Sequence, residues 1–300
     1  MPKKLRKGEK LPVVLVLAGF SGVGNKYLNV RFKDPNFAEV LDQLYKEKLA
    51  PKALYVLVDA MTYWGGSQFI NSKGTGRYED FLCKEVYSAL HLNFPVESDS
   101  KHWCVMGGSS GGYGALHLSS KYPEKYGLAI AIAPDSFFDA SLMPEILTAM
   151  ISIEKLGGVK GVKEELESGK LMRRREAHTI LNAIGMGTCY APDPKKKGEV
   201  RWPIDSESGL VVNGTWKQWL KHDPIHFLKA RKKNVLQLRG VYLDVGDKDQ
   251  YHLQYGTRQI RDALVAMGAK VKYSEFKGNH FDIGDRRPAA LKWLNRYWRS

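Results

Sequence analysis

Val105-Met106-Gly107-Gly108-Ser109-Ser110-Gly111-Gly112-Tyr113-Gly114-Ala115-Leu116 joins an apolar run to a helical pattern through a glycine-rich turn. Residues 103–106 have the composition of a buried strand, and 112–121 have that of a helix. The turn fits Gly-x-Ser-x-Gly in two frames, one centred on Ser109 and one on Ser110. It could equally serve as a phosphate cradle or a purely structural turn.

Moving outward, the same rhythm recurs. Strands are expected at 13–17, 53–58, 128–133, 241–245 and 271–276, with helices over 36–48, 79–92 and 253–267 and from Pro288 onward. The strands are continuous apolar runs rather than alternating ones, which is the pattern of parallel strands covered on both faces. The fold class is therefore α/β, with a mostly parallel sheet flanked by helices. Between 136 and 226 the rhythm breaks into helical pieces and a Pro/Gly-rich stretch, Ala191-Pro192-Asp193-Pro194, with no clear core strand. That segment is expected to be an insertion within a single domain, lying over the end of the sheet and carrying substrate selection. No internal repeat or low-complexity tract is present.

Composition sets outer limits. Three hundred residues with 43% hydrophobic content can bury a substantial core, and no apolar run is long enough to span a bilayer. The basic opening, Met1 to Lys10, leads into a five-residue β-prone run ending near Gly19, with no small-x-small cleavage site, so a strand is expected rather than a signal peptide. Cys83, Cys104 and Cys189 are odd in number and widely spaced, which fits neither a disulfide framework nor a zinc site and points to a reducing, cytoplasmic compartment. No His/Asp/Glu cluster has metal-ligand spacing, and no cofactor motif is complete. Gly19-Phe20-Ser21-Gly22-Val23-Gly24-Asn25-Lys26 comes nearest to a P-loop, but Asn25 stands where the lysine should be. The net charge is +14 (46 basic against 32 acidic residues). Its clusters, at 173–175, 195–197 and 231–233, are short, scattered and free of interleaved aromatics, so solvated surface is expected rather than a nucleic-acid footprint.

In an open parallel sheet, ligands bind beyond the carboxyl ends of the strands. The glycine turn lies at such an end and opens a helix, as a nucleophile elbow requires. The serine of an elbow is held on a strained turn, so the positions two before and two after it must be nearly free of side chain. Partners follow in the expected chain order. Gly246-Asp247-Lys248-Asp249 comes after the strand at 241–245, and Lys277-Gly278-Asn279-His280 comes after the last one. A serine hydroxyl is a weak nucleophile until an imidazole takes its proton, and a carboxylate must hold that imidazole in the right tautomer. Of eight histidines, His280 alone sits in a Gly-flanked loop after the final strand. His102, His117, His222, His226 and His252 precede strands or fall before or within helices, where packing roles are expected.

Asp244 belongs to its strand and Asp247 to the tip of the turn. Asp249, three residues past Gly246, has room to turn back toward His280 and is the favoured acid. An oxyanion hole needs two backbone N–H groups. One is expected from the residue after the nucleophile. The other is expected from Phe20, in the loop after the first strand, with Gly19 leaving space beside it. Tyr63, Trp64, Trp202, Trp216 and Trp219 are the aromatics that could wall a pocket, although core or lid packing is the commoner use of such residues.

The segments 107–116, 246–249 and 278–280 resemble the putative esterase family. This α/β-hydrolase group includes esterase D (S-formylglutathione hydrolase), feruloyl and enterochelin esterases and the mycolyltransferases. Its elbow commonly reads Gly-x-Ser-x-Gly-Gly-x-x-Ala-Leu and its acid loop Gly-x-x-Asp. Arg77-Tyr78-Glu79-Asp80-Phe81-Leu82 resembles the start of the helix before the elbow strand in these proteins. The resemblance covers essentially the whole chain and is loosest over 136–226. It implies Ser109, Asp249 and His280 as nucleophile, acid and base, and Phe20 and Ser110 as oxyanion donors, with no cofactor or metal and a small-molecule ester or thioester as substrate. Centring on Ser110 would leave Tyr113 one position too early for the family pattern. Such proteins usually carry two strands ahead of the one at 13–17, whereas only a dozen mostly polar residues precede it here. Either the sheet lacks the first two strands or the chain starts late.

Three functions follow as alternatives. The first is a serine hydrolase of carboxylic esters or thioesters working through an acyl-enzyme. The second is an acyltransferase using the same site, as the mycolyltransferases do. The third is a non-catalytic protein on a hydrolase scaffold that holds an acidic polymer, which predicts salt-sensitive association and no turnover.

Overall fold

The computed structural model describes residues 5–30 and 32–299, so the first four residues of the basic opening lie outside the described residues. Strands are β1 (Val13–Leu17), β2 (Leu54–Leu57), the short antiparallel pair β3 (Asn71–Ser72) and β4 (Gly76–Arg77), β5 (Trp103–Gly108), β6 (Leu128–Ile132), β7 (Gly240–Gly246) and β8 (Val271–Phe276). Helices are α1 (Phe37–Lys46), α2 (Tyr78–Asp80) and α3 (Tyr87–Asn93) joined by a π-helical turn, α4 (Ser110–Lys121), α5 (Phe138–Lys155), α6 (Gly158–Glu167), α7 (Ala177–Tyr190), α8 (Asn213–Leu220), α9 (Pro224–Ala230), α10 (Lys232–Val235), α11 (Leu253–Met267) and α12 (Arg287–Arg299).

Six strands form one sheet in the order β2-β1-β5-β6-β7-β8, every neighbouring pair parallel. With helices on both faces, this is the α/β-hydrolase arrangement expected from the sequence. Apart from a single bridge at Leu11, no strand precedes β1 among the described residues.

The continuous apolar runs are explained by burial on both sides. Val14 and Val16 of β1, with Cys104, Met106, Leu128, Ile130 and Tyr242, pack beneath Phe37 and Leu44 of α1 and Leu291 and Leu294 of α12. The alternate residues Val13, Leu15, Leu17 and Val105 turn to the other face, where they meet Leu82, Leu90, Ala115 and Leu118. Further along that face Ala129, Ala131, Val241 and Leu243 meet Tyr113 and Leu116 of α4 and Ile260 and Leu264 of α11. β2 and β8 are the edge strands, and the exposed Lys272 and Glu275 of β8 discourage further pairing there. α1 starts where it does because Asn36 Oδ1 accepts from Glu39 N at 3.1 Å while Glu39 Oε2 accepts from Asn36 N at 2.7 Å, a reciprocal capping box.

The chain enters at β1, passes outward to β2, then crosses to β5 on the other side of β1. The carboxyl ends of β1 and β5 therefore flank the topological switch point, where a crevice opens. Close approach across that crevice sets the glycine requirement at the elbow. A Cβ on Gly111 would lie 2.4 Å from Leu17 O and 2.9 Å from Ala18 O, and one on Gly107 would lie 2.3 Å from Gly111 C and O. All of these are backbone atoms that cannot step aside. At Gly112 the nearest atoms are 3.2 Å away, and at Gly108 the nearest is the flexible end of Ile283 at 3.0 Å. Gly111→Ala is thus expected to destabilise the protein by about 3 kcal/mol or more in urea melts. Gly112→Ala should cost about 1 kcal/mol. Equal losses at the two positions would contradict this packing.

α4 is anchored from below by a buried polar group. His117 Nε2 donates to Glu79 Oε2 at 2.7 Å, and Lys121 Nζ donates to Glu79 Oε1 at 2.7 Å. Burial works to raise the Glu79 carboxyl, but hydrogen bonds from His117, Lys121 and Tyr122 outweigh it and hold it near 2. Burial pushes His117 down to about 4, against the pull of Glu79. At neutral pH the pair is thus a carboxylate accepting from a neutral imidazole.

Between β6 and β7 the described residues contribute α5 to α10 and no strand to the sheet. Trp216 and Trp219 lie in the same buried cluster as Phe138 and Tyr190, with Trp202 packed against it, and Trp64 is buried there too. Tyr63 is exposed and its hydroxyl donates to Glu167 Oε1 at 3.2 Å. None of these five aromatics lines the cleft described below. The basic clusters at 173–175 and 195–197 are exposed, as are Lys232 and Lys233. Arg231 instead turns inward, donating to His117 O at 3.2 Å and Ser120 Oγ at 3.1 Å. All three cysteines are buried free thiols, and no helix among the described residues is long and apolar enough to cross a membrane.

Candidate active site

β5 ends at Gly108 and α4 begins at Ser110, leaving Ser109 alone at the corner. Its backbone is at φ 56° and ψ −128°, a conformation L-residues rarely adopt. Ser109 N donates to Ile132 O at 2.9 Å and Tyr113 N donates to Ser109 O at 2.9 Å, so the corner is fastened to the neighbouring strand and to its own helix. The turn is therefore built in the Ser109 frame. The glycines two before and two after this residue are the ones whose Cβ would strike backbone.

Beside the corner lies the loop after β1. A Cβ on Gly19 would be 3.5 Å from Gly108 O and 3.6 Å from the Ser109 Cβ, which brings the Gly19–Phe20 backbone against the serine. The Phe20 ring is seated where Gly65, Gly66 and Gly185 lack side chains; a Cβ at any of them would come within 3.0 Å of it. Ser21 N donates to Gly65 O at 2.9 Å and completes the fastening. The backbone N–H groups of Phe20 and Ser110 have no hydrogen-bond acceptor among the described residues.

Two loops cross at the far side. Asp249 is fully enclosed, and its Oδ2 accepts from His280 Nδ1 at 2.7 Å while its Oδ1 accepts from Tyr251 N at 3.0 Å. With a carboxylate oxygen on Nδ1, the proton sits there and Nε2 carries the lone pair. His280 is further held by its own N–H, which donates to Gln250 Oε1 at 3.0 Å, and by the Tyr251 ring, edge-on with centroids 4.9 Å apart. Asp247, the competing aspartate, accepts from Gly278 N at 3.0 Å and so ties the acid loop to the histidine loop. Asp244 is occupied elsewhere, accepting from Arg286 Nε at 2.9 Å and Tyr242 OH at 3.0 Å. Of the other histidines, His222 stacks on Tyr190 with centroids 4.8 Å apart, and His252 precedes the first residue of α11 in a left-handed conformation, without a side-chain capping bond.

Ser109, Ser110, Phe20 and His280 all line one cleft of about 770 Å³. Its walls include Tyr27, Ser141 and Leu142, and the ring of His178 lies edge-on to Phe20 at 5.9 Å. α5 and α7, from the segment between β6 and β7, supply much of this wall. Among the described residues no three His, Cys, Asp or Glu side chains converge as a metal ion would require.

A further carboxylate that the motif spacing did not single out stands beside the elbow. Asp135, just past β6, is buried against the elbow. Its Oδ1 accepts from Ser109 Oγ at 3.2 Å, and its Oδ2 accepts from Ser110 Oγ at 2.7 Å and Gln68 Nε2 at 2.9 Å. Burial pushes its carboxyl above the usual range, against the hydrogen bonds from Ser110 and Gln68 and the charge of His280. Glu145 on α5 shares the cleft. Burial raises its carboxyl too, Asn182 opposes this by donating to Oε2, and the nearby charge of Asp135 raises it further. The Asp135 position at the carboxyl edge of the sheet was the one available signal, but its neighbours depend on strand register.

A family model described as "Putative esterase" matches residues 1–283. Among solved structures, a ferulic acid esterase superposes with a TM-score of 0.61 at 16% identity, over 97% of this chain and 87% of that one. An S-formylglutathione hydrolase from Staphylococcus aureus gives 0.56 at 14% identity, over 96% and 85% of the two chains. Mycobacterium tuberculosis MPT51 gives 0.56 at 15%, over 96% and 91%. At these identities the likeness is one of fold. Comparison with curated proteins gave no match.

Proposed function

The chain belongs to the putative esterase family, and on that premise we propose that it cleaves carboxylic esters or thioesters through an acyl-enzyme on Ser109, with His280 as general base and Asp249 as the carboxylate that orients it. The observation that carries this reading is the meeting, in one cleft, of a serine on a strained corner and an imidazole whose Nδ1 is already bound to a buried carboxylate.

The Ser109 hydroxyl turns about its Cα–Cβ bond from Asp135 toward His280. As Oγ attacks the carbonyl carbon its proton passes to Nε2, and the Asp249 carboxylate stabilises the imidazolium that forms. The carbonyl oxygen gains negative charge between the Phe20 and Ser110 N–H groups, which have no competing acceptor to be displaced. The positive end of α4 favours the same charge. Collapse of the tetrahedral species breaks the bond to the alcohol or thiol, and His280 returns the proton to that leaving group. Water then repeats the sequence on the acyl-enzyme and frees the acid.

The test is covalent. A fluorophosphonate probe should label the wild-type protein at one site, with the adduct mapping to the peptide that contains Ser109. Labelling that persists in Ser109→Ala, or a wild type that turns over no activated ester, would refute the proposal.

A further inference from the structure

Asp135 is only 8% exposed, and it is bonded to the very hydroxyl proposed to be acylated. Its three donors are Ser109 Oγ, Ser110 Oγ and Gln68 Nε2, and among the described residues no Lys, Arg or His forms an ion pair with it. A buried acceptor that loses a donor and gains none is costly.

The reaction causes that loss, first as the hydroxyl turns toward His280 and then for the life of the acyl-enzyme. The O–H bond of Ser109 breaks, its proton goes to His280 Nε2, and a bond from Oγ to the acyl carbon replaces it. Asp135 Oδ1, 3.2 Å from Oγ, is then left without its donor. Among the described residues Ser109 is the one hydrogen-bond donor to Oδ1, and Ser110 and Gln68 are both engaged with Oδ2. The substrate can supply the replacement. A donor on the carbon next to the carbonyl lies three bonds from Oγ, which ordinary bond lengths translate into about 3 Å. Asp135 lines the same cleft with Oδ1 3.2 Å from the resting Oγ, so a donor carried on that carbon travels on the stretch of wall that the carboxylate faces.

On this basis, and resting on Ser109 as the acylated residue, we infer that the enzyme selects acyl groups bearing a hydrogen-bond donor on the α-carbon, an ammonium ahead of a hydroxyl, with Asp135 as the specificity-determining residue. Glu145 decides the order of the two donors. It lines the same cleft, it is close enough to Asp135 for their charges to interact, and among the described residues no Lys, Arg or His forms an ion pair with it. Two carboxylates on one wall favour a cation over a neutral hydroxyl. A plain alkyl acyl group satisfies neither.

The experiment uses p-nitrophenyl esters of alanine, lactic acid and isobutyric acid, which place ammonium, hydroxyl and methyl at the same position. Each kcat/KM is divided by the ester's rate with hydroxide to remove intrinsic reactivity. In the wild type the alanyl ester should exceed the isobutyryl ester by about tenfold or more, with the lactyl ester between. Asp135→Asn should remove most of the alanyl advantage while keeping part of the lactyl one, because Ser110 and Gln68 hold the amide oxygen at the Oδ2 position and the NH2 group that then faces the substrate can donate to a hydroxyl but not to an ammonium. Glu145→Gln should lower the alanyl-to-lactyl ratio on its own, which keeps the test open if Asp135→Asn folds poorly. An isobutyryl ester cleaved as fast as the other two, or ratios unmoved by both variants, would overturn the inference and leave the serine hydrolase intact. Fluorophosphonate labelling without turnover of any of the three esters would also overturn it. Failure of both labelling and turnover would bring down the acyl-enzyme itself.

Discussion

Ser109→Ala is expected to lower kcat/KM for an activated ester by about 10⁴-fold or more, with the fold intact. The backbone argument for an intact fold is simple: at φ 56° and ψ −128° alanine meets the same constraint as serine, so no new strain is added. The variant does forfeit the hydrogen bond to Asp135 Oδ1, at a cost of about 1 kcal/mol, but the carboxylate keeps Ser110 and Gln68. Ser110→Ala should behave in the opposite manner. Its proposed contribution is a backbone N–H, which alanine retains, so activity should fall by no more than about tenfold. What it loses is the 2.7 Å bond to Asp135 Oδ2, and the effect should appear mainly in stability. Steady-state kinetics and melts on the two variants separate the serines. A larger activity loss at Ser110 would mean that the other frame of the turn carries the chemistry.

Why could the frame be argued from sequence at all, when Asp135 could not be found? The elbow is local. Its glycines, its serine and the start of its helix fall within ten residues, and the spacing alone says which positions must lack side chains. The strands were legible for a related reason: runs such as Val13–Leu17 and Leu128–Ile132 are apolar at every position because both faces are covered. Asp135 is a different kind of feature. It reaches Ser109 because β5 and β6 pair with Gly108 opposite Ile132, which carries the chain just past β6 up to the elbow. Register is a property of the assembled sheet, and no spacing rule along the chain encodes it. The seat of Phe20 is similar, made by glycines at 65, 66 and 185 that meet in space alone. α9 is an intermediate case. Asp223 caps it by accepting from Ile225 N at 3.0 Å with Pro224 at the first helical position, a signal that the sequence does contain. The same carboxylate also accepts from Phe138 N at 2.8 Å, so it joins α9 to α5, and that second role is again visible only in three dimensions.

Asp249→Asn should reduce kcat/KM by about 10³- to 10⁴-fold, and the reason lies in which of its two oxygens is free to change. Oδ1 accepts from the backbone N–H of Tyr251 at 3.0 Å, a donor that cannot become an acceptor. The amide of the variant must therefore place its oxygen there and its NH2 group where Oδ2 was, facing His280 Nδ1. An NH2 group donates, so Nδ1 has to accept, and the imidazole proton moves to Nε2. The nitrogen that should take the Ser109 proton then already carries one. Geometry is preserved and the base is lost. Asp247→Asn provides the contrast, because its amide oxygen can go on accepting from Gly278 N while its NH2 group faces no essential acceptor. Its loss should stay within about tenfold. Circular dichroism should find both variants folded, so the difference is kinetic. Equal losses in the two, or the greater one at Asp247, would show that the orienting carboxylate is not Asp249.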